Sequence, residues 1–203
     1  MLDLINRGYQ IGGGMLSPDG KLFYLNIPKN ASTFLSSVLH QNNWYYGNLS
    51  TFTGNKIICV LRDPINRWLS GMSTYSALYL LGANYGSDMF IENYNELTER
   101  IIFDNIVFDD HTTPQIDFVN LVPKNKEIIY FSADNNLLLD NLSKYLGTTL
   151  DYNLSITNEN ASENNYDTRQ IRKFLVSRLT ENLTNKLKIQ FKQDYQLLDY
   201  VTR

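Results

Sequence analysis

Residues 23–34 read FYLNIPKNASTF. An alternating apolar run ends at Pro28, and a lysine, small residues and a threonine follow before the chain turns apolar again. In STFLSSVLHQ (32–41), Phe34, Leu35, Val38 and Leu39 fall at the i, i+1, i+4, i+5 spacing of one helix face. The stretch therefore reads as a strand passing through a loop into a helix. Lys29 and the hydroxyls of Ser32 and Thr33 sit at that junction. Two readings follow: a plain turn with Ser32 or Thr33 as the helix cap, or a loop that holds an anion.

The neighbouring segments repeat the strand–helix alternation. SPDG (17–20) reads as a turn, so residues 1–20 form a flexible or hairpin lead-in to a strand over Lys21 to Ile27. KIICVL (56–61) is a continuous apolar run, the pattern of a strand buried on both faces of a parallel sheet. PINRWLSGMSTYSALYLL (64–81) begins with proline at the first helical position and predicts a helix. KEIIYF (126–131) predicts a third strand, and SADNNLLLDNLSKYLG (132–147) a helix capped by Ser132 and closed by Gly147. Residues 151–165 read as a polar surface loop, and 168–200 as helical. With no repeat and no low-complexity linker, the expectation is one α/β domain over residues 1–203, with a central, mostly parallel sheet wrapped by helices. In such sheets ligands sit at the carboxyl ends of strands. IPKNAST and LRDP both fall there.

Composition narrows the chemistry. The 203 residues are 43% hydrophobic and 19% charged, with a net charge of −3, so an anion must be held by a local site rather than a broad basic field. This argues against nucleic acid as a partner. Cys59 is the only cysteine and His40 and His111 are the only histidines, which disfavours disulfides and Cys/His metal sites. No 18-residue apolar run occurs, and the N-terminal segment lacks a basic-then-apolar leader pattern. A soluble, cytoplasmic protein with no membrane partner is expected. The Asn-x-Ser/Thr sequons at Asn48, Asn141 and Asn182 then read as accidents of an asparagine-rich chain.

An anion such as a phosphate needs amides to wrap its oxygens, a cation to neutralise it and small residues for close approach. The 28–33 loop offers all three, yet it is not a Walker A loop, because the Gly-x4-Gly-Lys-Ser/Thr pattern is absent. Arg62 ends the second predicted strand, and Ser70 follows about two helical turns later. An arginine fork plus a hydroxyl suits a second phosphate; a surface pair of Asp63 with Arg62 or Arg67 is the alternative.

Taken together, IPKNASTF and VLRDPINRWLSGM resemble the two cofactor signatures of the sulfotransferase superfamily. These are the Pro-Lys-x-small-small-Thr loop and the Arg-Asp/Glu-Pro-x-x-Arg-x-x-Ser motif. The similarity is closest to the carbohydrate branch, sulfotransferase family 2. DDHTTPQIDFV (109–119) resembles that branch's Asp-x-His-x-x-Pro-Gln segment, and LLLDNLSKYLG and FKQDYQLLDY its later helices. The resemblance spans roughly Phe23 to Tyr200. It implies a three-layer P-loop-like α/β fold and the donor 3′-phosphoadenosine 5′-phosphosulfate (PAPS), with no metal. By position, the loop Lys29, Asn30, Ala31, Ser32 and Thr33 would hold the 5′-phosphosulfate, and Arg62 and Ser70 the 3′-phosphate. The family's loop carries glycines and a further hydroxyl where this chain has Ala31, Ser32 and Phe34.

Lys29 suits neutralisation of the leaving group, and a base must take the acceptor's proton. His111 is the candidate base, with His40 or a carboxylate such as Asp110 as substitutes. Branch similarity favours a carbohydrate hydroxyl as acceptor. NENASENNY (158–166) resembles the polar loop that closes over the nucleotide, and NNWYYGN (42–48) and STYSALYLLGANYG (73–86) gather aromatics toward the acceptor side. Two other readings stand beside this one: a P-loop-type kinase, disfavoured by the absent Gly-Lys-Ser/Thr and metal-holding aspartate, and a non-catalytic nucleotide-binding relative.

Overall fold

The computed structural model describes residues 12–77, 87–153 and 166–201. In it the Ser17–Gly20 turn closes a hairpin. The Ser17 hydroxyl donates to Asp19 Oδ1 at 2.7 Å and accepts from the Leu22 amide at 2.9 Å, while Gly20 takes φ 70°. Gly20 thus occupies a left-handed conformation that a side chain would disfavour. The hairpin joins β1 (Gly13–Leu16) to β2 (Leu22–Leu25). Helix α1 (Ser32–Gln41) then leads to β3 (Tyr45–Asn48), which pairs antiparallel to the other side of β1.

Strands β4 (Lys56–Leu61) and β5 (Glu127–Ser132) extend the sheet beyond β2, giving the order β3-β1-β2-β4-β5. The β2–β4 and β4–β5 ladders are parallel, while both ladders of β1 are antiparallel. The sheet is therefore mixed: β3, β2, β4 and β5 share one direction and β1 alone runs against them, a difference from a sheet read from its parallel strands only. The difference comes from GGGML, whose glycines disguise a strand. Gly14 is needed there: an added Cβ would collide with the Tyr24 carbonyl and the Phe23 ring.

Helices cover both faces, because strand residues alternate. Met15, Tyr24, Ile58, Val60 and Phe131 pack under Leu35, Val38 and Leu39 of α1 and Leu138 and Leu142 of α6 (Leu138–Leu146). Phe23, Leu25, Ile57, Cys59 and Leu61 meet Phe118 and Val119 of α5 (Gln115–Val119) and Leu197 of α9 (Lys192–Leu198). A third core lies among helices alone. Trp68 and Met72 of α2 (Pro64–Tyr75) pack with residues of α3 (Ser87–Glu92), α4 (Glu96–Asn105), α7 (Tyr166–Ser177) and α8 (Glu181–Gln190). Each large apolar side chain so buried contributes about 1.5–3 kcal/mol. No helix among the described residues is long and apolar enough to cross a membrane.

Helix ends explain two departures from the sequence reading. Asp63 caps α2, accepting from the Asn66 amide at 2.8 Å, with Pro64 in the first turn. Ser132, expected as a helix cap, is instead the last residue of β5. Its ladder partner is Leu61, and the Ala133 amide continues to the Leu61 carbonyl at 2.7 Å. The parallel ladder outcompetes an early helix start, so α6 begins only at Leu138 and ends, as expected, at left-handed Gly147. The C-terminal helical stretch is broken at Thr180, whose hydroxyl caps α8 through the Leu183 amide, and at Phe191.

Gly14 and its ladder partner Gly47 make a paired test. A methyl at Gly47 would meet ring and side-chain carbons at 3.5 and 3.7 Å, ordinary contact distances. Gly14→Ala is expected to lower stability by about 1–3 kcal/mol in urea unfolding, and Gly47→Ala by less than about half that. Equal effects would contradict the placement of β1.

Candidate anion-binding site

The loop between β2 and α1 is unusual in its backbone. Lys29 has φ 68° and Ala31 φ 57°, both left-handed without being glycine. Such residues cost about 1–2 kcal/mol each and persist only where surrounding contacts impose them. Ala31 is the N-cap of α1 and supplies no side-chain bond. Neither Ser32 nor Thr33 is the cap, so the plain-capping reading fails. The amides of Ser32, Thr33 and Phe34 open the helix without an acceptor among the described residues, at the positive end of its dipole. Thr33 is exposed and Ser32 half-buried.

Several contacts impose the loop's shape. Asn30 is fully buried, and its Nδ2 donates to the Val60 carbonyl at 2.7 Å and to Gln115 Oε1 at 2.6 Å. Asn30 thus fastens the loop to β4 and presents its side chain inward, away from any ligand in the loop. Gln115 completes the junction: Oε1 accepts from the Arg62 amide at 3.0 Å, and Nε2 donates to the Arg62 carbonyl at 2.9 Å. It satisfies the end of β4 as another strand would. Gln115 is held in turn by buried Asp194 of α9, which accepts from the Gln115 and Ile116 amides at 2.8 and 2.9 Å. Burial raises the Asp194 pKa, against the lowering effect of those two amides.

Arg67 makes the strongest tie. Its guanidinium is 1% exposed and donates to the carbonyls of Pro28 at 2.9 Å, Thr113 at 2.5 Å and Asp110 at 3.1 Å. It is no surface partner of Asp63. One side chain therefore binds the Lys29 loop to the 109–113 turn. Burial lowers its pKa to about 10, opposed by Asp194, Asp110 and Asp109, so it stays charged at neutral pH.

Lys29 consequently lies within electrostatic reach of Asp109 and Asp110, the two carboxylates beside His111. The Lys29 ammonium has no hydrogen-bond or salt-bridge partner among the described residues. Burial pulls its pKa down to about 8, while Asp109 and Asp110 oppose that and Arg67 and Arg62 reinforce it. Arg62 donates to the Lys29 carbonyl at 3.3 Å and pairs with Asp134, its Nε lying 3.4 Å from Oδ1. Ser70 is buried on α2, and its carbonyl accepts from the Ser73 and Thr74 hydroxyls.

His111 sits in a turn organised by Asp109, whose Oδ1 accepts from the amides of His111 and Thr112, both at 3.1 Å. Its Nδ1 lies 2.9 Å from Asp109 Oδ2 and 3.1 Å from Asp110 Oδ1. Burial disfavours the imidazolium, but these carboxylates outweigh it and the pKa stands above 6.5. Gly71 of α2 lets the turn approach, since a Cβ there would strike the His111 carbonyl. Asp109, Asp110 and His111 offer ligand atoms within 4.8 Å of one another. With Nδ1 already engaged by both carboxylates, the arrangement suits a protonated imidazole better than a metal. His40 is exposed at the far end of α1, about 12 Å along the helix axis from Ser32, and stacks on Tyr46. It stands apart from this group.

The sequence reading singled out Lys29, Arg62 and His111, gave no role to Gln115, Asp194 or Asp134, and gave Arg67 none inside the fold. Residues 158–165 of the polar loop and 78–86 of the aromatic stretch lie outside the described residues. Comparison with protein-family models, curated proteins and solved structures finds no match.

Two outcomes are expected. Arg67→Met leaves three buried carbonyls without donors and should cost about 3 kcal/mol or more in denaturant unfolding, with no rescue by Arg67→Lys; a loss below about 1 kcal/mol would contradict the clamp. The raised His111 pKa stabilises the fold fully below pH 6.5, the ordinary value, and that contribution is lost as pH rises through the folded value. Melting curves from pH 5.5 to 8.5 should show this decline in the wild type and a shallower one in His111→Gln.

Proposed function

We propose that the chain is a PAPS-dependent sulfotransferase. The observation that carries this reading is the uncapped N-terminus of α1 beside Lys29, whose partly buried ammonium has no direct partner among the described residues. Amides, dipole and lysine converge there as an anionic group requires. Arg62, just past the adjacent parallel strand, gives a second cationic point, and a phosphate bound there would compete with its partner Asp134. The sequence resemblance assigns those two points to the 5′-phosphosulfate and the 3′-phosphate, and the parallel β2–α1–β4 unit is compatible with a P-loop-like fold.

PAPS would supply the sulfuryl group and a phosphate leaving group. Lys29 would neutralise charge that grows on the bridging oxygen as the S–O bond breaks, and the α1 amides would hold the adjacent oxygens in line. His111 would take the proton of the attacking hydroxyl on Nε2, with Nδ1–H held by Asp109. Its raised pKa places the rising limb of the rate above pH 6.5. A carbohydrate acceptor belongs to this reading through the branch resemblance alone.

Binding of the desulfonated product, 3′-phosphoadenosine 5′-phosphate (PAP), tests the reading. PAP should raise the melting temperature well beyond 5′-AMP, and Arg62→Ala should abolish most of the difference, as a charged hydrogen bond is worth about 1.5–3 kcal/mol. A bound anion restores the Lys29 proton, so PAP affinity should fall up to tenfold per pH unit above about pH 8. Lys29→Met should be weaker and flat with pH. Equal shifts with PAP and 5′-AMP would rule out the 3′-phosphate site.

A further inference from the structure

The two cationic points differ, because the Arg62 point is already paired. Asp134 lies between β5 and α6, where its amide donates to Ser132 Oγ at 3.2 Å. From there its carboxylate reaches the end of β4 and divides between two donors. Oδ2 accepts from the amide of Asp63, the N-cap of α2, at 2.5 Å, and Oδ1 lies 3.4 Å from Arg62 Nε. An amide at a helix N-terminus and the edge of a guanidinium are the partners an external anion takes. Asp134 is thus an internal anion seated on the Arg62 point.

The two contacts are unequal. The bond to the Asp63 amide is short, whereas the ion pair is longer than the roughly 2.7–2.9 Å of a strong charge-assisted hydrogen bond. Arg62 is also held by the Lys29 carbonyl, and its side chain is 19% exposed against 39% for Asp134. Asp134 is therefore the freer partner. Charge at this point is not in excess: Arg62 stands between two acidic residues, Asp63 next in sequence and Asp134 from the neighbouring turn.

We infer that Asp134 is a specificity-determining residue of the donor site, an internal competitor that weakens binding of the 3′-phosphate and speeds its release. This rests on the proposed donor and deepens it. A phosphate on the Arg62 fork displaces Oδ1, while Oδ2 stays tethered to the Asp63 amide and keeps a negative charge beside the ligand. PAPS and PAP carry the same 3′-phosphate, so Asp134 acts on both alike and tunes uptake and release rather than the transfer step. A nucleotide with a free 3′-hydroxyl brings no charge to Arg62 and leaves the pair intact.

Asp134→Asn tests this, because its amide oxygen still accepts from the Asp63 amide while the charge is gone. Dissociation constants of PAP and 5′-AMP would be measured by calorimetry on the full chain at pH 7. Asp134→Asn should tighten PAP at least about tenfold and 5′-AMP by less than about twofold, because only PAP brings charge close to the lost carboxylate. The 5′-AMP value also reports correct folding and the general effect of one negative charge fewer. Asp134→Ser, a second neutral variant, carries the same expectation. PAP release, followed by stopped-flow displacement, should slow by a similar factor. In an Arg62→Ala background the gain from Asp134→Asn should shrink, since the competition runs through Arg62. A wild-type preference for PAP that both neutral variants leave unchanged or reduce, or equal gains for PAP and 5′-AMP, would overturn the inference and leave the donor reading standing. No preference for PAP in the wild type or in either variant would sink the 3′-phosphate site itself, and the role of Asp134 with it.

Discussion

A buried guanidinium with three carbonyl partners organises this protein. Desolvating an arginine costs several kcal/mol, and only near-complete hydrogen bonding offsets that. Arg67 achieves this by drawing Pro28, Asp110 and Thr113 around itself. The same bonds hold the Lys29 loop and the His111 turn in one place. Those two segments are far apart in sequence, and no continuous strand or helix joins them. Lysine could not substitute, because a point charge with a flexible stem cannot match a planar fork.

Around that clamp the polar groups form a connected set. Asp194 holds the start of α5, Gln115 on α5 completes the end of β4 and receives Asn30, and Asn30 anchors the loop. These contacts outweigh the cost of left-handed Lys29 and Ala31. The result is rigid backbone with open amides, which is the preorganisation that anion binding needs. Charge follows the same logic: burial depresses Lys29 to about 8, and the Asp109 and Asp110 carboxylates raise His111 above its ordinary value.

Much of this was legible from local pattern. KIICVL and KEIIYF are strands, STFLSSVLHQ is a helix, Pro64 opens α2 and Gly147 closes α6, because each depends on neighbours within a few residues. The strand β1 was hidden because glycines carry no strand propensity; its stability comes from pairing on both sides and from the absence of a Cβ at Gly14. Ser132 misled because its capping chemistry is real but the β4–β5 ladder claims its backbone first. Within the site, Lys29 and Arg62 could be found from their positions at strand ends. Arg67, Gln115 and Asp194 could not, since what each does is set by carbonyls and amides brought near only by folding. Asp134 illustrates the same limit: nothing local pairs it with Arg62.

The central claim is that the first turn of α1 receives an anionic group. The most direct measurement is a backbone amide NMR titration of the full chain with PAP at pH 7. The account predicts that the largest changes, downfield for amides that gain an acceptor, fall on Ser32, Thr33 and Phe34, with Lys29 following. Largest changes elsewhere, with those three amides unmoved, would contradict it.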